Sequence, residues 1–92
     1  MYNLTFHSSI KKDVKGLDKP VQKMLKESIF PAIAQNPEVG EELTRDLTGF
    51  RSYHFEFARV QYRVAYLVQP DGIFIYMVGK RENFYESLKR RI

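Results

Sequence analysis

From Arg51 onward, apolar side chains recur at every second residue, the period of a strand with one buried face. Tyr53, Phe55 and Phe57 face one way while His54, Glu56 and Ala58 face the other. Val60, Tyr62, Val64, Tyr66 and Val68 then alternate with Gln61, Arg63, Ala65 and Leu67. Pro70-Asp71-Gly72 separates this run from Ile73–Val78. Proline presets the φ of a turn and glycine supplies conformations that side chains resist, so the tripeptide predicts a reversal. The segment Tyr53–Val78 therefore predicts a three-stranded antiparallel meander, with Gly79 breaking its last strand.

The segments on either side follow other periods. Tyr2–His7 alternates Tyr2, Leu4 and Phe6 against Asn3, Thr5 and His7, which predicts an opening strand. Ser8 and Ser9 offer an N-cap for a short helix over Ser9–Leu17, where Ile10, Val14 and Leu17 fall at helical spacing and Gly16 weakens the end. Asp18 and Pro20 restart the chain, and Val21, Met24, Leu25, Ser28, Ile29 and Ile33 form one apolar stripe of a second helix. Pro31 should kink or shorten that helix, because it removes a hydrogen bond and clashes one turn back, and Asn36-Pro37 ends it. Glu38–Thr48 is polar and acidic and reads as a loop carrying a short helical turn up to Gly49. Glu82–Arg91 places Phe84, Tyr85 and Leu88 at helical spacing and ends in Lys89-Arg90-Arg91, a basic turn that complements the helix dipole. The expected fold class is α+β, a small antiparallel sheet with helices packed on one face in the order β-α-α-β-β-β-α. No repeat or linker divides it, so residues 1–92 are expected to form a single domain.

Composition narrows the chemistry. With 43% hydrophobic and 28% charged residues the 92-residue chain has the balance of a folded domain. It has no cysteine, which excludes disulfides, thiolate zinc sites and cysteine nucleophiles and fits a cytoplasmic location. Its apolar stretches are interrupted by Arg, Gln, Asp or Glu, so neither a signal peptide nor a membrane span is expected. Residues 1–46 carry seven Lys or Arg against seven acids; residues 47–92 carry eight against four and so hold the whole surplus of +4. Six of those eight are Arg, whose planar fork suits phosphate, so the second half leans toward a polyanionic partner.

Several residues there can act together. His54 and Glu56 share a strand face, Arg63 projects from the next strand, and Lys80, Arg81 and Tyr85 follow the last strand. Convergence of these groups would supply a base, guanidinium groups and an aromatic platform. That set suits RNA cleavage: the base takes the proton of a 2′-hydroxyl, Arg stabilises the pentacoordinate phosphate, and the ring stacks on a base. Neither metal nor cofactor is required. Each residue alone has an ordinary structural role open to it, His54 and His7 as hydrogen-bonded strand residues, Glu56 as a cross-strand ion-pair partner, Arg59 and Arg63 as solvated charges.

In combination, Gly49-Phe50-Arg51, Gln61-Tyr62-Arg63-Val64-Ala65-Tyr66, Val78-Gly79-Lys80-Arg81 and the following Tyr85 resemble the RelE/ParE family of type II toxin–antitoxin toxins, closest to the RelE-type mRNA interferases. The resemblance spans essentially the whole chain. It implies a toxin held inactive by a cognate antitoxin in a hetero-oligomer, whose free form enters the ribosomal A site and cuts mRNA. On that resemblance, Arg63 and Arg81 match the residues that stabilise the scissile phosphate. Tyr85 matches the aromatic that stacks on the message, and Arg51, Arg59 and Lys80 extend a surface for RNA and ribosome. A gapless count back from Arg63 places His54 and Glu56 where RelE carries two lysines, and in a YoeB-like alignment Glu41-Glu42-Leu43 matches a region that supplies a catalytic Glu. The base is therefore Glu56, His54 or Glu41. The ParE type shares the fold and poisons DNA gyrase instead, and a non-catalytic binding protein on the same fold is the third alternative.

Overall fold

A computed structural model describes residues 1–92. The strands form one five-stranded sheet in the order β1-β5-β4-β3-β2. These are β1 (Leu4–Phe6), β2 (Glu41–Glu42), β3 (Phe50–Phe57), β4 (Val60–Gln69) and β5 (Gly72–Lys80). The meander β3-β4-β5 is antiparallel throughout, as its alternation predicts, and β1 adds to the far side of β5 in parallel. The sheet is thus mostly antiparallel. The reversal at Pro70-Asp71 is present, but β5 runs on through Gly79 to Lys80. Gly79 does not break the strand because it stays paired with Arg63, and the Phe84 ring covers its bare Cα.

The first hairpin turns on Ala58 and Arg59, with φ of 50° and 68°. Left-handed φ at both centres is the mark of a type I′ turn, whose twist matches that of the strands, so Ala58 belongs to the turn and not to the alternating face. A bulge follows in the next pair, where Ala65 opposes Met77 and Tyr66 opposes Ile75. The extra residue, Tyr76, puts Tyr76 and Met77 on the same side and restores Val78 to the other.

The helices are α1 (Ile10–Lys15), α2 (Lys19–Met24), α3 (Phe30–Gln35) and α4 (Phe84–Arg91). At the start of α1, Ser9 makes no side-chain cap; its N–H donates to His7 Nδ1 at 3.0 Å, so His7 closes the turn. The kink expected at Pro31 takes another form. Between α2 and α3, Leu25–Ile29 widens into a π-helical turn in which the Phe30 N–H reaches back to the Leu25 carbonyl. A proline has no N–H for the carbonyl one turn back and needs room for its ring, and widening the preceding turn meets both needs without breaking the helix. Asn36 ends α3 in extended conformation, as a residue before proline prefers. The acidic loop holds more than a helical turn: besides 3-10 turns at Pro37–Val39 and Arg45–Leu47, Glu41–Glu42 forms the short edge strand β2 on β3.

Helices α1–α3 pack on one face of the sheet. Val21, Leu25, Ile29 and Ile33 meet Tyr62, Val64, Tyr66, Ile73, Ile75 and Val78 in the main core. Tyr66 is fully buried, donating to the Pro37 carbonyl at 2.6 Å and accepting from the Gly40 N–H at 2.9 Å. A side chain at position 40 would collide with that phenol, so only glycine fits. Burial pushes the Tyr66 phenol above its ordinary range. The C-terminal α4 reaches round to the opposite side, where Phe84 and Leu88 close a second cluster with Leu47, Phe50, Ala65 and Met77. Its last turn is clamped, with Arg91 gripping both carboxylate oxygens of Asp13 at 2.7 and 2.8 Å. Asp13 also accepts the Val78 N–H at the edge of β5. No helix is long and apolar enough to cross a membrane.

Candidate active site

On the sheet face away from α1–α3, side chains stand in rows across the strands. One row is His54, Arg63 and Gly79; the next is Glu56 and Gln61, with the Arg81 N–H donating to the Gln61 carbonyl at 3.0 Å. Gly79 leaves the first row empty at its third place. Phe84 fills that gap, and its neighbour Tyr85 is thereby carried over the row.

Three of the residues singled out in the sequence meet there. The Tyr85 hydroxyl lies 3.2 Å from His54 Nε2, and the Arg63 guanidinium stacks over the same ring at 4.7 Å from its centroid. A cation held on an aromatic face loses side-chain freedom while keeping its donors for a ligand. His54 is held below its ordinary value of 6.5, first by desolvation, then by the Arg63 charge, with Glu41 opposing them. Its imidazole is neutral at pH 7 and can accept a proton.

The other candidates divide. Arg81 is exposed and shares the parity of Arg63, one row on. Glu56 is on the same face, and its carboxylate accepts from Gln61 Nε2 at 2.6 Å. Arg59 sits at the hairpin tip. Arg51 and Lys80 are not brought to the site. Arg51 opposes Tyr66 and Lys80 opposes Tyr62, both on the helix-facing parity, and Arg51 is engaged by Glu42 at 3.1 Å and by the Gly40 carbonyl. Alternation alone carried that signal, since Arg51 stands two residues before Tyr53.

Two site features escaped the sequence reading. Ser52, opposite Ala65 and Glu41, is buried with no hydrogen-bond partner for its hydroxyl; its parity with His54 could have flagged it. A cleft of about 380 Å³ also opens beside Tyr85, between the Arg45–Leu47 turn and α4, a juxtaposition no local pattern encodes.

A family model described as the ParE-like toxin of type II bacterial toxin–antitoxin systems matches residues 4–89. The chain belongs to this family of toxins. Among solved structures, the RelBE2 toxin–antitoxin complex of Mycobacterium tuberculosis superposes with a TM-score of 0.76 at 24% identity, covering 87% of this chain and 98% of that one. The isolated Escherichia coli RelE toxin superposes with a TM-score of 0.64 at 24% identity over 100% of both chains. The intact E. coli RelBE complex gives 0.66 at 24% identity, covering 89% of this chain and 99% of that one. At this identity the likeness establishes the fold. No curated protein matches the chain by sequence. The toxin assignment thus rests on the family model, and the RelE-like fold agrees with it.

Proposed function

We propose that this toxin is a ribosome-dependent endoribonuclease that cuts mRNA in the ribosomal A site. The observation that carries this reading is the His54–Tyr85–Arg63 constellation on the open face, a neutral imidazole and a guanidinium brought together on one phenol ring. In the proposed reaction His54 takes the proton of a 2′-hydroxyl, the 2′-oxygen attacks the adjacent phosphorus, and the bond to the 5′-oxygen breaks as that leaving oxygen takes a proton from water. The products are a 2′,3′-cyclic phosphate and a 5′-hydroxyl. Arg63 and Arg81 stabilise the pentacoordinate phosphate, and Tyr85 stacks on the message and orients the attacking group. Glu41 and Glu56 are the alternative bases. Glu41 acts on His54 through its charge, and the Glu56 carboxylate is already engaged by Gln61, which favours His54.

A chain of 92 residues has little surface for holding a long RNA. The ribosome therefore supplies positioning and raises effective concentration. Relatives of this fold are found with an antitoxin bound, as in the M. tuberculosis and E. coli complexes, and a cognate antitoxin is the proposed inhibitor here. The decisive experiment adds the purified protein to a cell-free translation reaction and maps new mRNA 5′ ends by primer extension, with and without ribosomes. Cuts within codons that need ribosomes and vanish in Arg81→Ala are expected. Intact mRNA would overturn the nuclease reading and favour gyrase as target, and equal cutting of naked RNA would overturn ribosome dependence.

A further inference from the structure

Tyr85 has two neighbourhoods. One side of its ring carries Arg63, and the side chain also lines the cleft between the Arg45–Leu47 turn and α4. The cleft therefore adjoins, across the Tyr85 ring, the Arg63 guanidinium that would hold a scissile phosphate. Its volume of about 380 Å³ lies within the range of small-ligand sites and exceeds what one base requires. Leu43 and Leu47 supply apolar surface for the flat face of a ring. Asp46 and Lys89 face each other across it at 3.6 Å, both side chains at least half exposed. An exposed pair of this kind adds little to stability, so its groups are free to exchange each other for a ligand.

We infer that this cleft is a base-recognition pocket selecting guanine in the nucleotide beside the cut, with Asp46 as the specificity-determining residue. The inference rests on the nuclease reading for its place in the reaction and on the cleft alone for binding. A carboxylate is an acceptor with two oxygens. Guanine alone among the four bases presents adjacent ring N–H and amino donors on its Watson–Crick edge, and can occupy both oxygens. Adenine and cytosine set a ring acceptor beside their amino group, against the carboxylate. Uracil flanks its one N–H with carbonyls. Lys89, released from Asp46, donates to the guanine carbonyl. Recognition of unstacked bases by this edge is the usual route to sequence preference on single-stranded RNA.

Titration of the full-length protein with GMP and with AMP, followed by amide NMR, separates this inference from the nuclease reading. GMP is expected to shift Leu43–Leu47 and Lys89 at concentrations about ten-fold below those AMP needs, and Asp46→Asn to abolish that difference. Cut sites mapped in the translation reaction should show guanine enriched beside the cut for the parent protein and lost in Asp46→Asn. Shifts confined to other residues, equal response to GMP and AMP, or an unchanged cut distribution in Asp46→Asn would overturn the pocket. If GMP binds as described while mRNA stays intact, the pocket stands and the nuclease reading falls; if mRNA is cut without any GMP preference, the reverse holds.

Discussion

On β3 and β4, Tyr53, Phe55, Tyr62, Val64 and Tyr66 point at the helices, while Ser52, His54, Glu56, Gln61 and Arg63 point away. The two sets come from the same strands and alternate residue by residue. The first set is sealed under α1–α3; the second is covered only where α4 crosses it, so His54 and Glu56 stay exposed. The core and the candidate site thereby lie on opposite faces. A change on one side need not disturb the other, and that separation can be tested.

The largest effect is expected on the covered side. Leu25, with no exposed surface at the π-helical turn, should cost about 2–5 kcal/mol when changed to Ala. The melting temperature should fall by at least about 8 °C for a domain of this size. His54→Ala, on the open side, should change stability by less than about 0.5 kcal/mol. Comparable melting curves for the two variants in calorimetry would erase the distinction between the faces.

The Asp13–Arg91 clamp joins the faces, because it ties the helix that carries Tyr85 to the layer that holds the core. Asp13→Ala leaves the Arg91 guanidinium with only the Tyr76 carbonyl and strands the Val78 N–H. A loss of about 1–3 kcal/mol is expected. Amide exchange should rise in Phe84–Arg91 more than in α2, and uniform loss of protection across both would show that the clamp serves the core instead.

The alternation made most of this legible. Period two is local, so Tyr53–Val78 could be divided into strands and faces from the chain alone, and Arg63, His54 and Tyr85 could be set near one another. What stayed hidden depends on partners distant in sequence. β2 is two glutamates long and has no period to read. The bulge at Tyr76 is defined only by its register against Ala65 and Tyr66. Pro31 announced a disturbance, but whether a helix breaks or widens depends on the room around it. Charge alone groups Arg51 and Lys80 with the site, although the parity of Arg51 opposes that grouping.

The smallest effect, and the sharpest probe of the open face, is the titration of His54. Desolvation and Arg63 lower it and Glu41 raises it, so its imidazole resonance in NMR should titrate below the ordinary 6.5. Removing the positive neighbour in Arg63→Ala should move the midpoint up, and Glu41→Gln should move it down. The sign for stability follows from proton binding. The unfolded chain takes up the proton at higher pH than the folded one, so this contribution is present above 6.5 and is lost as pH falls through the folded value. The acid limb of mRNA cutting should follow the same midpoint if His54 is the base. Should the limb stay in place in Glu41→Gln while the His54 resonance moves, the proton acceptor is a different group on this face, and Glu56 becomes the next residue to replace.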